Sequence, residues 1–487
     1  MKTIFCAIGA AAGTILVLAA QQHDFSTVIR RDQQLPAIAV PDFRGDGQAQ
    51  AFMDAFNQTL WDDLKGSGSL RMVPKTLYPT TVPQQLADFK IPPPPEPAPQ
   101  PAGGRLRRGQ QSAAPPPPQT GGGLWLSDWA IPPAQANYLA IGYTAVQKND
   151  KLPDVPPALV LRGWLVDLSQ STPANAQALA KTYIESPDEA GARKAAHEFA
   201  ADILERFGAK SLFGTHIYFV RRSGTLKNPV REIWVMDPDG KNQKQITRFN
   251  TLSDFPAVSP DGTKIAFTSW AHINPAIFVF SVDPVRDLRF YNQKGASVTA
   301  TPSFTPDGRQ IVFASSAGSD HCCRIFAANL DGSNLRAISS PNAIDVEPKV
   351  NPKTGSEIAF VSGRSGPQQI YRMNMDGADL DRLSNGEGEA SNPSWHPDGQ
   401  ILAFAWTRGY MTGAFHIFIM DVAKRDYKQL TNGPGRDENP VWAPDGMHIA
   451  FMSTRSGSSQ IWSMLADGTE LQQLTTQGVN LDPAWGK

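Results

Sequence analysis

A segment of the form Pro-x-aromatic-x-Pro-Asp-Gly recurs, with small variations, through the second half of the chain and limits its fold more than any other feature. Its first proline lies at positions 256, 302, 348, 393 and 440, so successive copies are 46, 46, 45 and 47 residues apart. Pro-Asp-Gly predicts a tight turn, because proline fixes φ and glycine supplies a positive φ. A period in the forties, built from short strands and turns, is typical of the blades of a β-propeller rather than of a helical solenoid.

Three more strand-like segments follow the turn in most repeats, which gives four strands for each unit. GTHIYF at 214–219 has the strand without a proline segment before it, whereas LDPAWGK at 481–487 has the proline segment without a strand after it. Joined, these two ends complete one repeat. The sequence therefore predicts a six-bladed β-propeller over 209–487, closed by strands from both ends of the domain.

The preceding part of the chain has the pattern of a small α/β domain over 21–208. Apolar residues spaced as in Phe52, Phe56, Leu60 and Leu64 mark one face of a helix, and a second helix is predicted at 188–207. Strand-like segments lie at 36–43, 70–73, 137–146, 159–168 and 178–185. The predicted fold class is therefore multidomain, with a small N-terminal α/β domain followed by the propeller.

Two segments of this half have unusual compositions. Residues 83–122 are rich in proline, cannot bury a core, and are interpreted as a disordered insertion in the domain, with a proline-rich recognition ligand as the alternative. Residues 1–20 combine Lys2, an apolar stretch and small residues near position 19, which are the features of a cleaved export signal. We therefore expect a periplasmic protein with no transmembrane span after cleavage; the alternative is an uncleaved anchor helix.

Cys322 and Cys323 are the only cysteines after the signal, and they are adjacent. A vicinal disulfide and two separate thiols both fit an oxidising compartment, and we favour two thiols. Consecutive residues of a strand point to alternate faces, so His321, Cys322 and Cys323 are not expected to chelate a metal together.

The sequence carries none of the motifs that would indicate catalysis. Gly-x-Ser-x-Gly, His-Glu-x-x-His and Gly-rich phosphate loops do not occur, and the Asp-Gly pairs fit turns rather than a calcium loop. The net charge of −1 argues against nucleic acid as the main partner. The chain is therefore predicted to be a binding protein, not an enzyme, without a cofactor or a metal.

The residues next to the repeat prolines are the candidate binding residues, because the proline segment is expected to form the innermost strand of each blade. The side chains expected to surround one mouth of the channel are those of Asp254, Thr301, Glu347, Asn392, Asn439 and Asp482, with Glu438 beside them. Such a set predicts an electronegative surface suited to a peptide or a basic protein patch. The alternative is that these side chains cap the turns that enter the strands.

The order of the segments resembles that of the TolB family, the periplasmic propeller components of the Tol–Pal system of envelope integrity and cell division. The resemblance rests on PAIAVPDF (36–43), NYLAIGYTAV (137–146) and AAHEFAADILERF (195–207), which leads through GTHIYFV into the first propeller strand. It implies a non-catalytic adaptor that binds the peptidoglycan-associated lipoprotein Pal at the propeller mouth and TolA through the N-terminal segment. The family's Pal-binding positions match Val298, Ala300, Thr301, Val346 and Glu347.

A second hypothesis stays open beside this one. A TolB-like propeller of this kind is also compatible with binding another peptide or a polysaccharide, or with a role as accessory to a separate hydrolase.

Overall fold

The structure is a computed structural model that describes residues 35–91, 122–148, 156–225, 227–282, 285–291 (backbone only), 295–318 and 322–487. The predicted export signal, the predicted TolA-binding segment, His321 and most of the proline-rich segment lie outside the described residues.

A mixed sheet is the middle layer of the N-terminal region. Its strands are β1 (Ala37–Ala39), β2 (Arg44–Asp46), β3 (Arg71–Met72), β4 (Tyr138–Gln147), β5 (Ala158–Asp167) and β6 (Gln177–Glu185). The order is β3-β1-β4-β5-β6, with β2 also paired to β4. Strand β1 runs parallel to both neighbours, and β4, β5 and β6 form an antiparallel meander. The predicted α/β character is confirmed.

Two long helices cover one face of this sheet. They are α1 (Met53–Gly66), which continues from a 3₁₀ helix over Gly47–Phe52, and α3 (Glu189–Arg206). Between helices and sheet, the ring of Phe43 lies 5.2 Å from that of Phe56 and 5.9 Å from that of Phe199, measured between centroids. A Cβ atom at Gly163 would lie 2.8 Å from the ring of Phe199, so glycine in β5 is what lets this aromatic side chain reach the sheet.

The other face of the sheet is covered by short elements that the sequence pattern did not reveal. They are α2 (Leu126–Ala130) and 3₁₀ helices over Lys75–Leu77 and Leu86–Asp88. Trp129 and Phe89 are buried there in one cluster. The predicted start of the disordered insertion at 83 is therefore wrong, because residues 83–91 fold and Phe89 contributes to the core.

The propeller consists of six four-stranded antiparallel sheets. Blade 1 contains β7 (His216–Gly224), β8 (Pro229–Met236), β9 (Lys244–Gln245) and β30 (Val479–Gly486); blade 2 contains β10 (Ser253–Val258), β11 (Lys264–Ser269), β12 (Ala276–Val282) and β13 (Val285–Tyr291); blade 3 contains β14 (Thr299–Phe304), β15 (Gln310–Ser315), β16 (Arg324–Asn329) and β17 (Arg336–Ala337). Blade 4 contains β18 (Asp345–Val350), β19 (Glu357–Ser362), β20 (Gln369–Asn374) and β21 (Asp381–Arg382); blade 5 contains β22 (Ala390–Trp395), β23 (Ile401–Trp406), β24 (His416–Asp421) and β25 (Asp426–Gln429); blade 6 contains β26 (Asp437–Trp442), β27 (His448–Ser453), β28 (Gln460–Leu465) and β29 (Gln472–Gln473). Strand β30 pairs with β7, so the predicted closure of the ring is confirmed.

Each apolar cluster of the propeller joins two neighbouring blades, and together six such clusters close the ring. The phenylalanine that ends the second-strand segment is exposed by no more than 1% in every blade: Phe219, Phe267, Phe313, Phe360, Phe404 and Phe451. The second-strand segment therefore recurs because each blade needs the same packing against its neighbour.

Cys322 and Cys323 are joined in a disulfide just before β16. The interpretation as two separate thiols is therefore wrong. The backbone carbonyl of Cys323 accepts a hydrogen bond of 2.8 Å from the backbone N–H of Asp345, the first residue of β18.

Candidate functional site

The propeller has two faces, which follow from the direction of its strands. The loop face carries the segments that enter each innermost strand and the loops between second and third strands; the turn face carries the Pro-Asp-Gly turns. The N-terminal region packs on the turn face, where the carbonyl of Gly66 contacts His448 and the Lys65 ammonium lies 3.3 Å from the Glu470 carboxylate. The loop face is not covered by the described part of the N-terminal region.

A collar of six residues, one from each blade, stands immediately before the channel prolines. The collar consists of Phe255, Thr301, Glu347, Asn392, Asn439 and Asp482, and each has a positive φ between 46° and 55°. In every blade the pairing of first and second strands shifts register at this position, which is a β-bulge. The collar is therefore a backbone feature that the repeat builds six times.

The collar side chains connect neighbouring blades by hydrogen bonds. Thr301 Oγ1 accepts from the backbone N–H of Glu347 at 3.3 Å, and Glu347 Oε2 accepts from the backbone N–H of Asn392 at 2.8 Å. Asn392 Oδ1 accepts from the backbone N–H of Asn439 at 3.4 Å. Asn439 Nδ2 donates to Asp482 Oδ1 at 2.9 Å. The predicted site residues thus also hold the ring closed, which agrees with the alternative in which they have a structural role.

Two further contacts complete the ring of hydrogen bonds between neighbouring blades. The carboxylate of Asp482 accepts a hydrogen bond from the backbone N–H of Phe255. Phe255 has no side-chain acceptor to offer to blade 3, and there the backbone N–H of Thr301 donates to Thr268 Oγ1 at 3.1 Å instead.

The assignment of Asp254 to the ring was wrong. Phe255, not Asp254, directly precedes the proline of blade 2. Asp254 is only 1% exposed and lies beneath the loop face, where its Oδ1 is 3.1 Å from Nη1 of Arg231. Burial, reinforced by the charge of Asp482, raises the pKa of Asp254 to about 7. The sequence-based choice of Asp254 favoured the nearest polar residue over the register that the proline at 256 sets.

The remaining predicted residues lie just outside the collar toward the loop face. Val298, Ala300 and Val346 are half-buried, and the backbone N–H of Val298 donates to Ser316 Oγ at 3.0 Å. Glu438 is 9% exposed and paired with Arg436. Its pKa is raised, because burial outweighs the attraction of that guanidinium. Blades 3 and 4 therefore bring five predicted residues together: Val298, Ala300, Thr301, Val346 and Glu347.

The charges inside the collar are strongly affected by burial. Burial raises the pKa of Glu347 and raises that of Asp482 to about 6, whereas it lowers the pKa of the neighbouring Lys349 ammonium. The hydrogen bond from the N–H of Asn392 and the positive charge of Lys349 act in the opposite direction on Glu347. The channel thus holds two carboxylates and one amine close together, each less readily charged than it would be in water.

A cavity of about 470 Å³ lies between the collar and the turn face. It is lined by the collar residues, by Lys349, by the tryptophans Trp395, Trp442 and Trp485, and by the turn prolines Pro260, Pro306, Pro352, Pro397 and Pro444. The collar residues therefore line one end of this cavity, and the turn prolines line the other.

Among the described residues, no group of three histidine, cysteine, aspartate or glutamate side chains is placed to hold a metal ion. In the same part of the chain, no helix combines the length and apolarity that crossing a membrane requires.

The fold and the channel together define a β-propeller protein with an N-terminal α/β region. The family model described as "TolB beta propeller domain" matches residues 205–407 and 379–487, which is more than half of the chain. The chain belongs to the TolB family.

Individual relatives agree with this assignment. The chain is 33% identical over 199 residues to "Protein TolB homolog" of Chlorobium luteolum, covering 40% of this chain and 42% of the relative. It is 32% identical over 198 residues to "Tol-Pal system protein TolB" of Bordetella pertussis, covering 38% and 41%. The matched part spans about two fifths of the length of these curated relatives. The crystal structure of TolB from Acinetobacter baumannii has the same fold, with a TM-score of 0.70 at 20% identity over 93% of this chain and 97% of that chain.

Proposed function

We propose that this protein is a non-catalytic periplasmic adaptor of the Tol–Pal system that binds a Pal-type lipoprotein at the loop face of the propeller. The name of the Bordetella pertussis relative supports the system, and the resemblance of the loop-face residues to the family's binding positions supports the site. TolA binding through the N-terminal segment is part of the proposal, although that segment lies outside the described residues.

The observation that carries the proposal is the uneven composition of the collar. Asn392, Asn439 and Asp482, in blades 5, 6 and 1, are residue types that tolerate a positive φ. Phe255, Thr301 and Glu347, in blades 2 to 4, are poorly suited to it, and β-branched threonine is the least suited. A backbone strained in this way is characteristic of functional sites, and this half of the collar adjoins Val298, Ala300 and Val346.

Calorimetric titration with the soluble domain of a Pal-type lipoprotein from the same organism tests the proposal. Val298→Asp is the informative variant because it places a charge on the loop face without removing a collar hydrogen bond. Leu380→Asp is the matched control, since Leu380 is 47% exposed at a turn-face turn of blade 4. We expect micromolar or tighter binding, weakened at least ~10-fold, or ~1.4 kcal/mol, by Val298→Asp and unchanged by Leu380→Asp. Absence of binding by the unmodified chain, or equal effects of the two variants, would contradict it.

A second candidate is a small peptide or saccharide bound in the 470 Å³ cavity. The observation that favours it is the indole N–H of Trp442, which is buried without an acceptor among the described residues. The equivalent indole N–H groups donate to the carbonyl of Lys349 (Trp395) and to Thr215 Oγ1 (Trp485), each at 3.0 Å. Tryptophan fluorescence changes on adding oligosaccharides or short peptides, abolished by Trp442→Phe, would favour this candidate.

A further inference from the structure

The junction between the N-terminal region and the propeller is built around one histidine. His448 is the first residue of β27, at the turn face of blade 6, and its side chain is 12% exposed. Its Nδ1 lies 2.6 Å from Oδ2 of Asp445 in the same turn. Its Nε2 lies 2.7 Å from the backbone carbonyl of Gly66, the last residue of α1. One imidazole ring therefore connects the propeller to the N-terminal region.

Both neighbours of this ring are hydrogen-bond acceptors. A carbonyl oxygen cannot donate, and the Asp445 carboxylate already accepts at Oδ1 from the backbone N–H groups of Met447 and His448. Neutral imidazole has one N–H, whereas imidazolium has two. Only the doubly protonated ring can therefore donate a hydrogen bond to both Asp445 and the Gly66 carbonyl.

The surroundings favour the same charge state. The last carbonyl groups of a helix carry partial negative charge, so a cation at the end of α1 is stabilised. Burial alone would lower the pKa of His448, but the hydrogen bond and charge of Asp445, together with the Gly66 carbonyl, raise it above the ordinary value.

We infer that this junction is a proton-dependent latch, in which doubly protonated His448 holds the C-terminal end of α1 to blade 6 and releases it on deprotonation. When the proton leaves, one ring nitrogen presents a lone pair to an acceptor. Asp445 retains the remaining N–H, because a carboxylate is the stronger acceptor, and the contact with Gly66 is lost. The contribution of the latch is complete below the unfolded pKa of histidine, ~6.5, and disappears as the pH rises through the higher folded pKa.

Two ion pairs also cross this interface. Across the interface, Lys65 pairs with Glu470, and Arg193 Nη2 lies 2.8 Å from Asp239 Oδ2. Neither pair contains a histidine. The indole ring of Trp485 faces His448 at 6.3 Å and is uncharged.

A cavity of about 270 Å³ lies beside the latch and is lined by residues of both regions. Its other ionisable lining residues are Asp62, Asp63, Arg193, His197, Lys210, His216, Asp237, Asp239 and Lys241. Two of these are histidines. His197 binds Asp63 at 2.6 Å within the N-terminal region, and His216 Nε2 is 3.9 Å from Asp237 within the propeller. Neither histidine bridges the two regions by these contacts. The charge of Asp239 in the propeller also raises the pKa of His197, so His197→Gln tests whether this second histidine contributes to the response.

Hydrogen exchange of the full chain at about pH 5.5 and about pH 8.5, corrected for the intrinsic pH dependence of amide exchange, tests the latch. In the unmodified protein we expect exchange of the 64–70 and 463–470 amides to be at least ~5-fold faster at the higher pH. His448→Gln carries an uncharged donor, so its exchange at these segments should not depend on pH. His197→Gln should keep the response of the unmodified protein.

Three outcomes would overturn the inference. They are equal protection of the unmodified protein at both pH values, an undiminished response in His448→Gln, and loss of the response in His197→Gln. The first needs no variant, so the test does not depend on the folding of either substitution.

Discussion

The N-terminal region and the propeller bury their apolar residues in different ways. In the N-terminal region one sheet separates two clusters, and each cluster is completed by elements far apart in sequence. In the propeller, each of six clusters belongs to two neighbouring blades, so every blade repeats the same contacts. The effect of a destabilising substitution should therefore spread through the N-terminal region but remain between neighbouring blades in the propeller. Repetition also makes only the propeller easy to predict from sequence.

The largest expected effect is that of Phe199→Ala. This side chain is fully buried between α3 and the sheet and contacts Phe43, so its truncation should lower the free energy of unfolding of the N-terminal region by ~3–5 kcal/mol. Urea denaturation followed by circular dichroism should show an earlier first transition and an unchanged propeller transition. Ile184→Ala, at a side chain 66% exposed on β6, is the control and should change little. A single transition shifted as a whole would show that the two regions unfold together.

Removing a buried charge in the propeller is expected to cost slightly less. Asp345 is completely buried at the start of β18, and both its carboxylate oxygens accept from Arg364, at 2.7 and 2.8 Å. Asp345→Ala leaves that guanidinium without its partner and should destabilise the propeller by ~3 kcal/mol. Glu387→Ala breaks an exposed pair with Arg408, where Glu387 is 65% exposed, and should cost under ~1 kcal/mol. Equal losses in thermal unfolding would contradict the assignment of the first pair as buried.

Asp482→Asn is expected to change how propeller stability depends on pH. Burial raises the pKa of Asp482 from 3.8 to about 6, so the unfolded chain ionises first and stability falls as the pH rises between these values. Asparagine cannot ionise, so the variant should lose this fall, which amounts to ~3 kcal/mol at pH 8 at ~1.36 kcal/mol for each pKa unit.

Asp261→Asn is the opposite case. A hydrogen bond from Ser259 lowers the pKa of Asp261 to about 2, so its ionised form stabilises the folded state above the unfolded pKa. Asparagine should therefore reduce stability at pH 8. If thermal unfolding at about pH 8 showed that both variants change stability in the same direction, the described electrostatics of Asp482 or of Asp261 would be wrong.

The smallest expected effect concerns the beginning of α3. The carboxylate of Asp188 accepts from the backbone N–H of Gly191 at 2.7 Å, which is a helix N-cap. Asp188→Ala should destabilise the N-terminal region slightly, and Asp188→Ser should restore most of the loss. Failure of serine to do so in urea denaturation would assign the effect to charge rather than to capping.

The propeller could be predicted from the sequence because each turn, strand and buried phenylalanine recurs with one period. The sequence also places Phe255 directly before the proline of blade 2, and the choice of Asp254 was wrong because it favoured a polar residue over this register. Five of the six collar residues could be predicted as well, because each directly precedes a repeat proline. Their hydrogen bonds to the next blade could not, since a bulge decides which side chain reaches that blade, and no single residue type signals a bulge. In the N-terminal region, the burial of Trp129 and Phe89 depends on elements too short to show a period.

The most direct test of the central claim, a partner-binding loop face, is a hydrogen-exchange footprint of the full chain with a soluble Pal-type lipoprotein domain. We expect protection of segments 295–301 and 341–347, which hold Val298, Thr301 and Glu347, and no protection of the turn-face turns. Protection confined to the turn face or to the N-terminal region, or no protection at saturating partner, would contradict it.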